Sequence, residues 1–282
     1  MPLTEILNPF TLIRASPMIL KNILKTVLNY TGYNIQRYKK AVPVINVVEP
    51  PSEEVVNPDE QRLLYYAEEG KRFQWLKDFN FKTIIDVGAN EGQFAGKVLS
   101  VFPNALIHCF EPLTTAFSQL KIYFDHLPNV VLYNYGLGVA DDEKMIFKNE
   151  YSPSSSLLEM LDLHKSNFDF AVNVVQENIS IRKLDDFFKT TIARPLLLKI
   201  DVQGYEKYVL DGGESVLQQA DLIIIETSFY PLYSGQPLFD EIYQYLTKLE
   251  FQYAGNVEQL IAPIDKKILQ ADAIFIRKGN WP

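Results

Sequence analysis

The sequence has few of the side chains that form disulfides, zinc sites or nucleic-acid interfaces. Its 282 residues include one cysteine, Cys109, and three histidines. A single cysteine excludes an internal disulfide, and no Cys/His spacing typical of a zinc site is present. The 27 lysines and arginines are outnumbered by 35 acids, which gives a formal net charge of −8. That balance argues against a nucleic-acid partner, because phosphates are bound by clustered cations.

Long apolar runs are also missing. The sequence contains no stretch of about 18 apolar residues, the length that a helix needs to cross a bilayer. The amino end lacks the basic residues followed by an apolar run that mark a signal peptide. We therefore expect no membrane span and a cytoplasmic location.

Residues 1–42 differ from the rest of the chain in holding six basic residues and one acid. Within them, residues 18–28 place apolar side chains at helical spacing with lysines between. This pattern predicts a basic amphipathic helix, which either packs on the main domain or makes peripheral contact with a membrane. Residues 43–58, rich in proline and acids, predict an extended linker. We expect an extension over 1–58 and a main domain over 59–282.

The main domain alternates strand and helix patterns after a helix predicted to start at Pro58. Strands are predicted near residues 83–86, 105–110, 130–135, 196–200, 222–226, 251–253 and 273–276. Apolar strands separated by helices are typical of a parallel sheet covered on both faces. The predicted fold class is α/β with a doubly wound, mostly parallel sheet. Residues 139–182 break the alternation and predict an insert with extra strands near 144–148 and 179–181.

The stretch from Thr83 to Gln93 combines a short apolar strand, a glycine turn and the start of a helix. Its pattern D-x-G-x-N-x-G is formed by Asp86, Gly88, Asn90 and Gly92. A strand that turns into a helix through glycines places free backbone N–H groups at a positive helix end. The stretch therefore predicts a nucleotide-type cofactor site. An ordinary turn is the other interpretation, because a motif alone is a weak signal.

Several predicted strands end on an acid, at the edge where doubly wound sheets bind ligands. These acids are Asp86, Glu111, Asp201 and Glu226. Glu111 lies 25 residues after Asp86, where a carboxylate can accept hydrogen bonds from both hydroxyls of a ribose. The G-x-G-x-x-G cradle for a pyrophosphate is missing. This chemistry favours S-adenosyl-L-methionine, a cation without phosphate, and leaves NAD as the alternative.

The order and spacing of these residues resemble the FkbM-type methyltransferases over about residues 80–278. The matching segments are Asp86–Gly92, Phe110–Pro112, Leu198–Glu206, Ile225–Glu226 and Ala271–Ile276. The resemblance implies a class I (Rossmann-like) fold, a seven-stranded sheet whose last strand is inserted antiparallel. It also implies S-adenosyl-L-methionine as cofactor and methylation of a hydroxyl on a sugar, glycan, glycolipid or secondary metabolite.

By the same resemblance, individual residues acquire expected positions around the cofactor. The amino-acid end of the cofactor would be lined by Asp86, Gly88, Asn90 and Gly92. Its ribose would be bound by Glu111, and its adenine would lie near residues 134–138, which include Gly136.

A general base is expected for the transfer, because a hydroxyl is a poor nucleophile at neutral pH. Asp201 is the first candidate for this base, although it could instead cap the helix that starts near Gly204. Glu206 and Glu226 are expected to assist the base or to bind acceptor hydroxyls. Gln203 stands where the family typically has glutamate and receives no acid–base role. The spacing identifies no metal site.

Further acceptor contacts are considered in the insert and in the loop after Glu226. The candidates are Ser154, Ser155, Ser156, Tyr230 and Tyr233, each of which could equally be a plain loop residue. His164 is expected at the surface. Two other functions remain open: an NAD-dependent oxidoreductase, and a non-catalytic binding protein on the same fold. The expected partner is a small-molecule or glycan acceptor.

Overall fold

The computed structural model describes residues 58–168 and 174–281. These residues belong to a unit that spans Val56–Pro282. The amphipathic helix and the linker predicted before Pro58 lie outside the described residues. Of the helices within the described ranges, none is long and apolar enough to cross a membrane.

Ten strands occur in the described part of the chain, and seven of them form one large sheet. In chain order the strands are β1 (Thr83–Val87), β2 (Leu106–Phe110), β3 (Val130–Tyr133), β4 (Gly136–Leu137), β5 (Asp142–Asn149), β6 (Val174–Arg182), β7 (Leu196–Ile200), β8 (Leu222–Ser228), β9 (Phe251–Ile261) and β10 (Ile268–Arg277). The large sheet has the order β3-β2-β1-β7-β8-β10-β9. The pairs among β3, β2, β1, β7 and β8 are parallel, whereas β10 is antiparallel to β8 and to β9. The predicted parallel sheet with an inserted antiparallel last strand is thus confirmed.

Helices cover both faces of this sheet. They are α1 (Pro58–Gly70), α2 (Gln93–Val101), α3 (Thr114–Phe124), α4 (Asp162–Asn167), α5 (Leu184–Phe187), α6 (Glu206–Asp211), α7 (Glu214–Gln219) and α8 (Phe239–Lys248). A 3-10 helix, Lys71–Phe79, continues α1. The predicted start at Pro58 is confirmed, and proline suits the first helical position because the amide there needs no partner.

The apolar core forms two layers, one on each side of the large sheet. Successive residues of a strand point to opposite faces, so Ile84 and Ile85 of β1 enter different layers. Ile84 belongs to a cluster with side chains of α1, α2 and α3, including Leu120. Ile85 belongs to a cluster with side chains of α5 to α8, including Val209. All five residues of β1 are buried, which explains why this strand is recognisable as an apolar run.

The insert forms a second, smaller sheet of order β4-β6-β5. In it β4 is parallel to β6, and β5 is antiparallel to β6. Ile146, Ile179 and Ile181 of this sheet pack with Leu113 and Ala116, at the start of α3. The extra strands predicted near 144–148 and 179–181 are confirmed and extend further than expected.

The last hairpin and two short helices depart from the prediction. β9 and β10 contain 11 and 10 residues, whereas only 251–253 and 273–276 were predicted as strand. Residues such as Gly255 and Asn256 disfavour strands locally, but pairing of β9 with β10 decides their conformation. The helices α4 and α7, of six residues each, were not predicted.

Candidate active site

A cavity of about 570 Å³ opens at the carboxyl ends of the parallel strands, between the large sheet and the insert. This is a typical volume for a small-molecule site. Seven of the predicted site residues line it: Asp86, Gly88, Asn90, Glu111, Gly136, Asp201 and Glu226. Gly92 and Glu206 do not.

The turn after β1 is held closed by its own backbone. The amides of Gly88 and Ala89 donate to the carbonyl oxygen of Phe110 at 3.0 Å, and those of residues 90–92 also find protein acceptors. The expectation of free N–H groups in this turn is therefore wrong, because the turn is hydrogen-bonded to β2 and to itself. Amides without a partner inside the helix are instead expected in the first turn of α2, where Gln93 and Phe94 line the cavity.

Gly88 shows why the turn needs glycine. Its φ is +82°, in the left-handed region that side chains avoid. A Cβ there would lie 1.8 Å from the carbonyl oxygen of Asp201. The turn after β1 and the loop after β7 thus cross in direct backbone contact. This contact places the predicted cofactor turn beside the predicted base.

Asp86 lies inside β1, as its fourth residue, rather than at the end of the strand. Its side chain is buried, and Oδ2 has no hydrogen-bond partner among the described residues. Burial raises the pKa of Asp86 to about 7, although the nearby ammonium of Lys199 partly opposes the rise. A buried carboxyl oxygen with no partner in a cavity wall is a site for a cationic ligand group.

Glu111 follows β2 directly and forms the base of the cavity beside Asn90. Its two carboxyl oxygens accept hydrogen bonds from the amides of Asn90 and Leu113, both at 2.8 Å. Burial raises the pKa of Glu111 to about 7 despite these two bonds. Each oxygen can accept a further hydrogen bond, so the carboxyl group remains able to bind ribose hydroxyls.

A row of polar side chains crosses one face of the sheet from β1 to β10. Asp86 stands opposite Lys199 of β7, and Glu226 of β8 stands opposite Asp272 of β10. Residues in register project to the same face. The Lys199 ammonium donates to Asp201 at 3.2 Å and to Asp272 at 3.1 Å. Burial alone would lower the pKa of Lys199, but these carboxylates raise it, so this lysine stays charged.

Gln203 joins the two candidate bases. Its Nε2 donates to Asp201 Oδ1 at 2.9 Å and to Glu226 Oε2 at 2.8 Å. The hydroxyl of Tyr233 donates to Gln203 Oε1 at 2.8 Å, which fixes the orientation of the amide. Gln203 has a φ of +53°, and such strained positions are concentrated at functional sites.

Asp201 and Glu226 differ in how their oxygens are used. Asp201 accepts from Gln203 on one oxygen and from Lys199 on the other. Glu226 accepts from Gln203 on Oε2, and within the described ranges no bond reaches Oε1. Burial raises the pKa of Glu226 well above its usual value, and the carboxyl groups of Asp201 and Glu206 add to the rise. Glu226 therefore has one carboxyl oxygen without a partner among the described residues, whereas Asp201 has none.

The alternative role of Asp201 as a helix cap is wrong. The helix α6 begins at Glu206, and Tyr205 occupies the position before it. Asp201 lies four residues earlier than that position, in the loop that follows β7. Its amide donates to the carbonyl oxygen of Val87 at 2.9 Å, which ties this loop to β1.

Two predicted site residues shape the cavity from outside it. A Cβ at Gly92 would lie 2.2 Å from the ring of Phe124, so glycine allows α2 to pack against α3. The buried carboxyl group of Glu206 accepts from the amides of Val202 at 3.2 Å and Gly204 at 3.0 Å. These bonds fix the loop that carries Asp201. Gly92 and Glu206 were expected to contact the cofactor or the acceptor directly. This expectation is corrected, because neither residue lines the cavity.

His164 is not at the surface as expected. It is 2% exposed, lines the cavity and packs against the rings of Phe168 and Tyr233. Burial lowers the pKa of His164 to about 4, so the imidazole is neutral at pH 7. The insert folds back on the loop after β8, where the amide of Leu161 donates to the carbonyl oxygen of Leu232. The local sequence contains no signal for this long-range contact.

The remaining candidates divide. Ser154 and Ser155 line the cavity, together with Gln270 and Asp272 of β10, which sequence reasoning missed. Polar residues at 270 and 272, alternating with Ala271 and Ala273, are a pattern that could have revealed them. The hydroxyl of Ser156 donates to the carbonyl oxygen of Gln203, so Ser156 supports the loop. Tyr230 is exposed, and Tyr233 is buried behind Gln203.

Comparison with known proteins identifies the family. The profile described as the methyltransferase FkbM domain matches residues 86–253. The chain belongs to the FkbM methyltransferase family. It is similar to the 2-O-methyltransferase NoeI of Sinorhizobium fredii, with 26% identity over 189 residues, covering 62% of this chain and 76% of NoeI.

Two further similarities cover a smaller share of the matched protein. The AMB antimetabolite synthetase AmbE of Pseudomonas aeruginosa is 28% identical over 173 residues, which cover 51% of this chain and 8% of AmbE. The crystal structure of an FkbM methyltransferase from Methylobacillus flagellatus has 14% identity and a TM-score of 0.44, covering 70% of this chain and 44% of that chain.

The FkbM family assignment agrees with the sheet and with the cavity. The strand order with an antiparallel β10 is that of a class I methyltransferase. S-adenosylmethionine is the cofactor, and the site fits it, because the orphaned oxygen of Asp86 suits a cation and Glu111 suits a ribose. The NAD alternative is wrong. The lysines lining the cavity, Lys97 and Lys199, pair with carboxylates instead of facing a pyrophosphate.

Within the described ranges, no group of three or more His, Cys, Asp or Glu side chains is arranged so that it could hold a metal ion. The amide nitrogen of Gln203 occupies the space between Asp201 and Glu226.

Proposed function

We propose that this FkbM methyltransferase transfers the methyl group of S-adenosylmethionine to a hydroxyl of a sugar, glycan, glycolipid or secondary metabolite. The main support is the environment of Glu226. Its Oε2 accepts a hydrogen bond from Gln203, and its Oε1 accepts none from the described residues. The relative NoeI is named a 2-O-methyltransferase, which supports oxygen as the atom methylated.

The cofactor-binding half of the proposal rests on the walls nearest β1 and β2. Asp86 would face the cationic amino-acid end, and Glu111 would accept hydrogen bonds from the ribose hydroxyls. Gly136 and the apolar side chains of Leu137 and Ile179, which line the same cavity, would border the adenine. A side chain at position 136 would press on Ile181, since a Cβ there would lie 2.6 Å from its Cδ1.

The acceptor half of the proposal assigns the proton to Glu226. The sulfonium of the bound cofactor supplies an activated methyl group together with its leaving group. Glu226 Oε1 would take the proton of the attacking hydroxyl, and burial raises the pKa of Glu226 and with it the proton affinity of this base. Asp201, which accepts hydrogen bonds from both Gln203 and Lys199, would keep these two side chains in position.

The experiment combines cofactor binding with methyl transfer. Calorimetry with S-adenosylhomocysteine tests binding, and transfer from radiolabelled S-adenosylmethionine into a cell extract tests catalysis. Glu226→Gln should bind S-adenosylhomocysteine like the wild type and lose about 100-fold or more in transfer rate, the range for removing a general base. Asp86→Ala and Glu111→Ala should lose binding.

A matched control is Glu258→Gln, since Glu258 also lines the cavity but pairs with Lys97 and Arg72 instead of Gln203. It should leave the transfer rate near that of the wild type. Binding without any labelled product would favour a non-catalytic binding protein. A wild type that binds no S-adenosylhomocysteine would refute the proposal altogether.

A further inference from the structure

Two buried polar side chains in the cavity wall have nitrogen atoms without partners. Nε2 of Gln270 and Nδ1 of His164 make no hydrogen bond in the described structure. Both side chains are at most 3% exposed, and both line the cavity. Buried polar atoms are hydrogen-bonded in the great majority of cases. Two such exceptions among the residues lining one cavity therefore point to a ligand that supplies the missing partners.

Gln270 lies beside the proposed base. In the pairing of β10 with β8, Gln270 stands opposite Ser228 and Asp272 opposite Glu226. Gln270 and Glu226 therefore project to the same face as diagonal neighbours, with Cβ atoms about 7–8 Å apart. A ligand that carries polar groups on skeleton atoms one or two bonds apart could contact both Gln270 and Glu226.

His164 borders the same end of the cavity from the insert. Its ring packs on Tyr233, whose hydroxyl donates to Gln203, the residue that also bonds Glu226. A neutral imidazole accepts at one nitrogen and donates at the other, so it suits a hydroxyl. Phe168 and Leu260 also line the cavity and belong to the apolar cluster around Tyr233.

We propose that Gln270 and His164 form an acceptor subsite, which binds a second oxygen of the acceptor next to the hydroxyl facing Glu226. The amide of Gln270 donates to that oxygen, and His164 completes its hydrogen bonds. The substrate class is then a polyhydroxylated compound with oxygens on neighbouring carbons, such as a sugar ring, and not a simple alcohol. Phe168 and Leu260 offer an apolar surface to the C–H face of such a ring. This inference rests on the proposed hydroxyl methylation.

The test uses two shape-conserving variants of the full chain, Gln270→Met and His164→Phe. Methionine keeps the length of glutamine without its amide, and phenylalanine keeps the ring contacts with Phe168 and Tyr233. Labelled transfer is measured over a dilution series of extract, beside thermal unfolding and calorimetry with S-adenosylhomocysteine.

Each variant should transfer at least tenfold less label at low extract concentration and approach the wild-type rate at high concentration. S-adenosylhomocysteine affinity should not change. The unfolding temperature should stay equal or rise, because an unpartnered buried polar atom has been removed. Gln252→Met, an exposed position on β9 that does not line the cavity, is the control and should change none of these quantities.

Three results would overturn the subsite. Transfer equal to the wild type at every dilution would show that neither side chain contacts the acceptor. A lower unfolding temperature would show that the side chains have structural partners. Lost S-adenosylhomocysteine binding would assign them to the cofactor. Failure of the proposed function gives a different result: the wild type binds S-adenosylhomocysteine but transfers no label to any acceptor. In that case the subsite proposal fails as well.

Discussion

Asp86 and Glu111 are buried carboxyl groups whose pKa values are raised to about 7, chiefly by burial. Because the folded state then binds protons more tightly than the unfolded chain, the free energy of unfolding falls as pH rises. The window lies between the ordinary pKa values near 4 and the folded values near 7. Cofactor binding and stability thus make opposite demands on these two residues.

For Asp86→Asn we expect higher stability and weaker binding. The ligand-free variant should unfold about 4 °C or more above the wild type at pH 8, where the wild-type carboxylate is ionised, with a smaller difference at pH 5. S-adenosylhomocysteine should bind at least tenfold more weakly. Thermal unfolding at both pH values and calorimetry measure these effects.

The exposed Asp78→Asn serves as the control for Asp86→Asn. It should alter neither the unfolding temperature nor the affinity. An identical difference in unfolding temperature at pH 5 and pH 8 would contradict the assignment of the effect to Asp86 ionisation.

The loop between β7 and α6 is the element that brings the chemistry together. It carries Asp201 and Gln203. Its backbone contacts the turn after β1 at Gly88, and the carboxyl group of Glu206 accepts hydrogen bonds from two of its amides. The insert also binds this loop, because the hydroxyl of Ser156 donates to the carbonyl oxygen of Gln203. The position of Glu226 Oε2 is therefore set by a loop with supports from three elements, and not by β8 alone.

Gln203→Glu should move the pH dependence of methyl transfer. A third carboxylate beside Asp201 and Glu226 disfavours ionisation and raises the pKa of Glu226 further. Since the base must be deprotonated, the acid limb of the pH–rate profile should shift upward by about one pH unit. Radiolabel transfer measured from pH 5 to pH 9 checks this.

Gln259→Glu, which adds the same charge to the wall of the same cavity, is the matched control for Gln203→Glu. Its acid limb should stay close to that of the wild type. An unshifted profile in Gln203→Glu would show that Gln203 does not act through the base.

At the scale of the whole molecule, the large sheet was predictable because its central strands are buried and mostly apolar. β1 and β7 are buried at every residue, so no partner needs to be known to recognise them. β9 was largely missed because its conformation depends on pairing with β10, a long-range contact.

The cavity residues on β1 and after β2 were predictable, and those on β8, β10 and the insert were less so. Asp86 and Glu111 follow from motif spacing. Glu206 and Glu226 look alike in the sequence, yet one supports a loop and the other faces the cavity. His164 could not be assigned, because its burial arises from the insert folding onto the loop after β8. Local sequence carries no information on such contacts.

Residues 1–42 should act on membranes independently of catalysis. The six basic residues there attract anionic lipid, whereas the described residues that line the cavity all lie in Val56–Pro282. The full chain should sediment with vesicles containing phosphatidylserine and not with neutral vesicles. A chain starting at Pro43 should lose sedimentation while keeping its S-adenosylhomocysteine affinity. Equal sedimentation of both chains would refute the membrane role.

The hairpin of β9 and β10 contributes Gln270 and Asp272 to the cavity, but these residues lie beyond residue 253, where the FkbM profile ends. Most of the residues proposed to hold the cofactor lie between residues 86 and 137, at the opposite end of the domain sequence. An exchange of this hairpin between relatives would therefore transplant acceptor choice without rebuilding the donor side. New substrates would be reached, in nature or by design, in part through this one contiguous stretch, with His164 of the insert as a separate position.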